Sequence, residues 1–156
     1  MKPRRIEVLL TALLVSVALG SWANPGYLRI TEVDPAMGQV EVTNTAPVSF
    51  TLTSSLPFSH RFSQTSSIPS GTAFAIGESK AFAVTGLDPT DSDLWLYRDS
   101  DFGNPASIIT GLKYGPAAGV GFTGVAVSAS IWPSATDYVP VAPVGQSLQI
   151  ITYDFT

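Results

Sequence analysis

Asp88, Asp91 and Asp93 fall close together in one polar stretch, and Asp99 and Asp101 follow soon after. Carboxylate oxygens on turns are the hard ligands that Ca²⁺ gathers six to eight at a time. A calcium site built from these five residues is therefore one expectation. Asp side chains also bond their own backbone in turns, and the spacing matches no EF-hand loop. Solvated turn aspartates, with no cofactor, are the favoured reading. Glu32 and Glu41 form the other acidic pair, of the kind that serves as acid and base in glycoside hydrolysis. Alternating positions beside Thr31 and Thr43 favour solvated sheet carboxylates instead. His60 is the only histidine, so any Ser-His or multi-His site would depend on it. No Cys and no G-x-S-x-G elbow accompany it. A packed or edge position between Phe58 and Phe62 is the simpler expectation, and the chain is expected not to be an enzyme.

Aromatic side chains offer a different chemistry. Trp95, Tyr97, Trp132 and Tyr138 could form a platform for a sugar or another flat ligand, because rings of this kind are enriched at interfaces. Trp95 and Tyr97 share one face of their segment, opposite Leu94 and Leu96. Burial in a core is the favoured role for the bulky pair, and joint exposure of Trp95 and Tyr97 would favour the platform.

The elements that must position these residues read as strands. Leu28, Ile30 and Val33 lie among polar neighbours, and Val40 and Val42 follow a turn at Asp34 to Gly38. Val48, Phe50 and Leu52 alternate again, as do Phe58, His60 and Phe62. Ser66 to Thr72 reads as a turn region. Phe74 to Ile76, Ala81 to Val84, Leu94 to Tyr97, Ile108 to Tyr114, Gly124 to Ile131 and Ser147 to Phe155 complete about nine strand candidates. No helical period stands out after residue 23. Short strands between Gly/Pro-rich turns predict an all-β, antiparallel β-sandwich or barrel.

The ends and the charge set the address. Lys2, Arg4 and Arg5 precede the uncharged apolar run from Val8 to Gly20, and Ser21-Trp22-Ala23 places small residues at the −3 and −1 positions of a cleavage site. Residues 1–23 are thus expected to be a cleaved secretory signal, and 24–156 one domain. The whole chain holds 8 basic and 12 acidic residues. Removing Lys2, Arg4, Arg5 and Glu7 with the signal leaves a formal charge of −6. That balance disfavours nucleic acid, whose phosphates are met by clustered Lys and Arg. With no cysteine, the domain is expected to be held by its core alone.

An ordered series of motifs then resembles a known family. Ile30-Thr31-Glu32-Val33-Asp34, Gly38, Val40-Glu41-Val42 and Asn44 are similar to the opening of the lamin-tail-like domain. Ile68-Pro69-Ser70-Gly71-Thr72, Gly77 and Ala81-Phe82-Ala83-Val84 resemble its middle. Leu96-Tyr97-Arg98-Asp99-Ser100-Asp101-Phe102-Gly103, Ile108-Ile109, Tyr114-Gly115 and Gly145-Gln146-Ser147-Leu148-Gln149 resemble its later hairpin and end. The "G-W-x-L" tryptophan of that family is absent at Phe50-Thr51-Leu52-Thr53, and the Asp of its "V-D" pair is absent beside Ile109. The resemblance implies an immunoglobulin-like β-sandwich in a secreted setting, without catalytic residues. The expected function is a secreted, non-catalytic structural or protein-interaction module, in a periplasm, at a cell surface or in the medium. Its partner would be an extracellular protein or surface polymer, with no membrane contact after signal cleavage. A glycan-binding module, assisted by calcium, is the alternative, and an extracellular hydrolase a remote one.

Overall fold

The computed structural model describes residues 25–116 and 121–150. The expected signal at 1–23 and the end of the last strand candidate, from residue 151, lie outside the described residues. One 3-10 turn, Pro25–Tyr27, leads into the strands β1 Leu28–Asp34, β2 Gln39–Asn44, β3 Phe50–Thr51, β4 Leu56–His60 and β5 Ser63–Ile68. After them come β6 Ala73–Phe74, β7 Ser79–Ala83, β8 Ser92–Tyr97, β9 Ile108–Tyr114, the short helix α1 Thr123–Ser128, and β10 Leu148–Gln149. The fold is all-β and its strand pairs are antiparallel. One four-stranded sheet has the order β10-β1-β2-β7, a second has the order β5-β4-β8-β9, and β3 pairs with β6.

Alternation explains the first sheet directly. Leu28, Ile30, Val33, Val40 and Val42 are buried, while the strand residues between them are partly or fully exposed. The period-two pattern places one face on the core. A bulge in β1 shifts the register between Ile30, opposite Val42, and Glu32, opposite Glu41.

The second sheet is covered on both faces. Phe58 lies opposite Leu96 and Ser59 opposite Trp95, so Phe58 and Leu96 share one face and Ser59 and Trp95 the other. The Phe58 ring meets Phe82 of β7 at 6.4 Å, which turns that face toward the first sheet. Trp95 meets Trp132 edge-on at 5.9 Å, and Tyr97 meets Phe102 at 5.0 Å and Phe122 at 6.2 Å. Every residue of β8 and β9 is buried in consequence. Gly111 makes the packing of Trp95 possible. A Cβ at that position would lie 2.2 Å from a Trp95 ring carbon and 2.3 Å from the Leu94 carbonyl oxygen.

Three local expectations need correction. Gly124 to Ile131 was expected as a strand, but the chain forms α1 there and uses buried Ala126 to close over β9. The two valines alternate with Ala126 in sequence, yet covering the Trp95 face requires a turn of helix. Ser66 to Thr72 contains the end of a true strand, β5, whose Ser63-Gln64-Thr65-Ser66-Ser67 carries no apolar alternation because it is an edge. Phe62 does not continue β4; it sits in the β4–β5 turn.

Candidate functional site

The β4–β5 connection is a two-residue turn, and both residues have left-handed backbone angles: φ is +45° at Arg61 and +67° at Phe62. Tight hairpins favour such angles because they match strand twist, and they normally place Gly, Asn or Asp there. An L side chain at a left-handed position costs roughly 1–2 kcal/mol. Strain of this sort persists only where surrounding contacts over-determine it, and it clusters at functional sites. Phe62 also leaves 60% of its surface in solvent.

Those contacts converge from three elements. The Arg61 backbone N–H donates to Asp93 Oδ1 at 2.9 Å, at the start of β8. Its guanidinium donates to Asp91 Oδ1 at 2.6 Å and lies 3.7 Å from Asp88 Oδ2. The Phe62 ring stands edge-on to Phe122, just before α1, at 5.2 Å. Beneath the turn His60 is almost fully buried. Its Nδ1 lies 2.6 Å from Ser92 Oγ, 3.0 Å from the Asp93 carbonyl oxygen and 3.6 Å from Asp93 Oδ1.

Asp93 anchors this end of the molecule. Its carboxylate is buried, accepts the Arg61 amide through Oδ1 and accepts the Trp95 indole N–H through Oδ2 at 2.8 Å. Gly121, at φ +123°, lies so close that a Cβ there would sit 2.0 Å from Oδ2. Removing such a partnered buried carboxylate leaves its donors unsatisfied. Burial lowers the His60 pKa, but the side-chain, backbone and charge interactions with Asp93 together raise it above the ordinary 6.5. Burial pushes the Tyr114 hydroxyl up to about 12, and that hydroxyl donates to the Asp88 carbonyl at 2.8 Å.

Ser92, His60 and Asp93 have the residue types of a hydrolytic triad but not its wiring. A triad puts the serine on one imidazole nitrogen and the carboxylate on the other. Here Ser92 Oγ, the Asp93 carbonyl oxygen and Asp93 Oδ1 all face the same Nδ1. A nitrogen that donates toward Asp93 cannot take the Ser92 proton. The apolar cleft of about 420 Å³ between the β1–β2 turn and residues 141–146 has no titratable side chain in its lining, which includes Pro35, Pro89, Val141 and Val144.

The residues singled out in the sequence are placed as follows. Trp95 and Tyr97 are wholly buried and Trp132 nearly so, beneath Phe102 and the chain around α1, while Tyr138 is exposed; Trp95 and Tyr97 therefore offer no joint surface to a flat ligand. The five aspartates do not converge either. Asp88 and Asp91 pair with Arg61, and Asp93 is committed to the turn amide and the indole. Asp99 and Asp101 lie beyond the opposite end of β8, roughly 20 Å along the strand at the extended rise. There Asp99 Oδ1 accepts the Asp101 amide. Among the described residues no group of three or more His, Cys, Asp or Glu is arranged to hold a metal ion. Asp88 Oδ1 accepts the side-chain and backbone donors of Thr90, which hold its carboxyl below the usual range.

Glu32 and Glu41 do sit directly opposite each other in β1 and β2. Each is engaged: Glu41 accepts from Thr31 at 2.7 Å, and Glu32 accepts from Ser147. Thr31 spends its one hydroxyl hydrogen on Glu41, so Thr43 donates to Thr31 at 2.8 Å and Ser79 to Thr43 at 2.7 Å. Such a ladder knits the outer face of the sheet and engages both carboxylates. Arg61 and Ser92 went unremarked in the sequence as site residues. Neither lies in a recognisable motif, and Arg61-Phe62 lacks the Gly or Asn that would have marked its turn. No family model, curated protein or solved structure matches the chain.

Proposed function

We propose that this chain is a secreted, non-catalytic interaction module of the immunoglobulin-like β-sandwich type, and that the Arg61–Phe62 tip is its contact element. The observation that carries the reading is the tip itself. A large aromatic occupies a strained turn position where Gly would serve the fold better, and it stands mostly in solvent. Arg and aromatic residues are the types that dominate binding energy at interfaces. Asp91, Asp93 and Phe122 hold the tip in one geometry, which reduces the ordering cost on binding. The partner is an extracellular protein or surface polymer.

Other features agree with this reading. The export-type N-terminus, the −6 balance after it and the lamin-tail-like motif series all fit an extracellular scaffold setting. The Ser92–His60–Asp93 wiring weighs against hydrolysis, and the burial of Trp95 and Tyr97 weighs against a glycan platform.

Labelled exported protein added to the producing cells is expected to bind saturably. Phe62→Gly should lose at least tenfold in affinity while keeping a cooperative melt. Equal binding by the variant would remove the tip from the interface.

A further inference from the structure

We propose that His60 is a pH-responsive latch on the Arg61–Phe62 tip, holding the tip more firmly as the surrounding medium acidifies. The proposal rests on the reading of the tip as the contact element and adds a regulation to it.

The geometry links the imidazole to the tip through one carboxylate. Asp93 Oδ1 accepts the Arg61 amide at 2.9 Å and lies 3.6 Å from His60 Nδ1. The Asp93 carbonyl and carboxylate both face Nδ1, so that nitrogen keeps its hydrogen in either state, and the titrating proton belongs to Nε2. Placing a positive charge on the ring strengthens its attraction to Asp93. Asp93 is already fixed by the Trp95 indole and by Gly121 packed over Oδ2. Strengthening therefore tightens the movable side of the link, which is the end of β4 and its strained turn.

Other groups around the ring set the balance. Arg61 follows His60 in the chain, and its charge opposes protonation. Asp91 and Asp88 partly neutralise that guanidinium. From β8 come Ser92 and Asp93. From β9, Tyr114 contacts Ser92 and stays neutral, with its pKa pushed up to about 12. Lys113 is the cross-strand neighbour of Asp93, but its ammonium donates away, to the Ala135 carbonyl at 2.9 Å. From the β7–β8 loop, Gly86 adds no charge and lies beside the ring.

The direction follows from linkage. The folded pKa of His60 lies above 6.5, so its contribution is fully present below pH 6.5 and is lost as pH rises through the folded value. Each unit by which the folded pKa exceeds the free value corresponds to about a tenfold difference in tip opening between the two limits.

NMR of isotope-labelled exported protein tests this without any partner. His60 should titrate above 6.5. The Arg61 amide protection factor, corrected for intrinsic exchange, should fall with rising pH over the same midpoint. The total fall should match the measured pKa shift at about tenfold per unit, while Val42 in the first sheet stays constant. His60→Gln should abolish the Arg61 dependence, and the matching of midpoints in the unsubstituted protein serves as a readout if that variant does not fold. A His60 midpoint at or below 6.5, or an Arg61 protection factor independent of pH, would overturn the latch, as would a dependence that survives His60→Gln. Because this measurement uses no cells, loss of the latch leaves the tip's role in binding standing, and a failure of cell binding leaves the latch standing.

Discussion

At the scale of single residues, Phe62 has two opposed energies. Its left-handed backbone costs roughly 1–2 kcal/mol, and its edge contact with Phe122 returns about 0.5–1.5 kcal/mol. Phe62→Gly removes both, so stability should change by no more than about 1.5 kcal/mol, a shift of about 6 °C or less in Tm for a domain of this size. A buried aromatic would behave differently, since truncation of one costs about 3–5 kcal/mol. A fall in Tm of 10 °C or more in Phe62→Gly would make Phe62 a structural residue. His60 was legible in the sequence as a lone histidine on a strand, and its packed position is what the structure shows. Its partners were not legible, because Ser92 and Asp93 reach it only through the pairing of β4 with β8.

Elements show where alternation informs and where it misleads. The strands β1, β2, β8 and β9 were readable because their apolar residues must meet a core. β5 escaped because an edge strand needs no apolar face, and Ser63 to Ser67 reads as a polar turn. Residues 124–131 misled for the opposite reason: Val, Ala and Val in sequence look like a strand, while α1 packs as a cap on β9 and leaves every residue of β8 and β9 buried. The close fit of that cap over Trp95 leads to Gly111. Gly111→Ala forces a Cβ into the Trp95 ring and the Leu94 carbonyl, and overpacking of this kind costs about 1–3 kcal/mol. The melt of that variant should fall measurably. An unchanged Tm would mean that Trp95 does not lie across β9, and the account of the buried aromatic face would be wrong.

For the whole molecule, the two four-stranded sheets hold one continuous apolar core without cysteine among the described residues, and the buried His60–Ser92–Asp93 cluster lies at one end of the second sheet. Much of the all-β architecture was legible, because period-two patterning is a property of each segment alone. The candidate site was not, because it is made where the β4–β5 turn, the start of β8 and the chain before α1 meet. The wiring of that end predicts that Ser92 is unreactive. Purified protein treated with a fluorophosphonate should carry no adduct at Ser92 by peptide mass spectrometry, whereas stoichiometric labelling would restore the hydrolase reading. The central claim is that the molecule meets its partner through the tip, and site-specific photo-crosslinking tests it most directly. A photoreactive phenylalanine analogue at position 62 in the purified protein, irradiated on the producing cells, should give one discrete adduct, and the same group at exposed Gln39 on β2 should give none. No adduct from position 62, or equal adducts from both positions, would contradict the account.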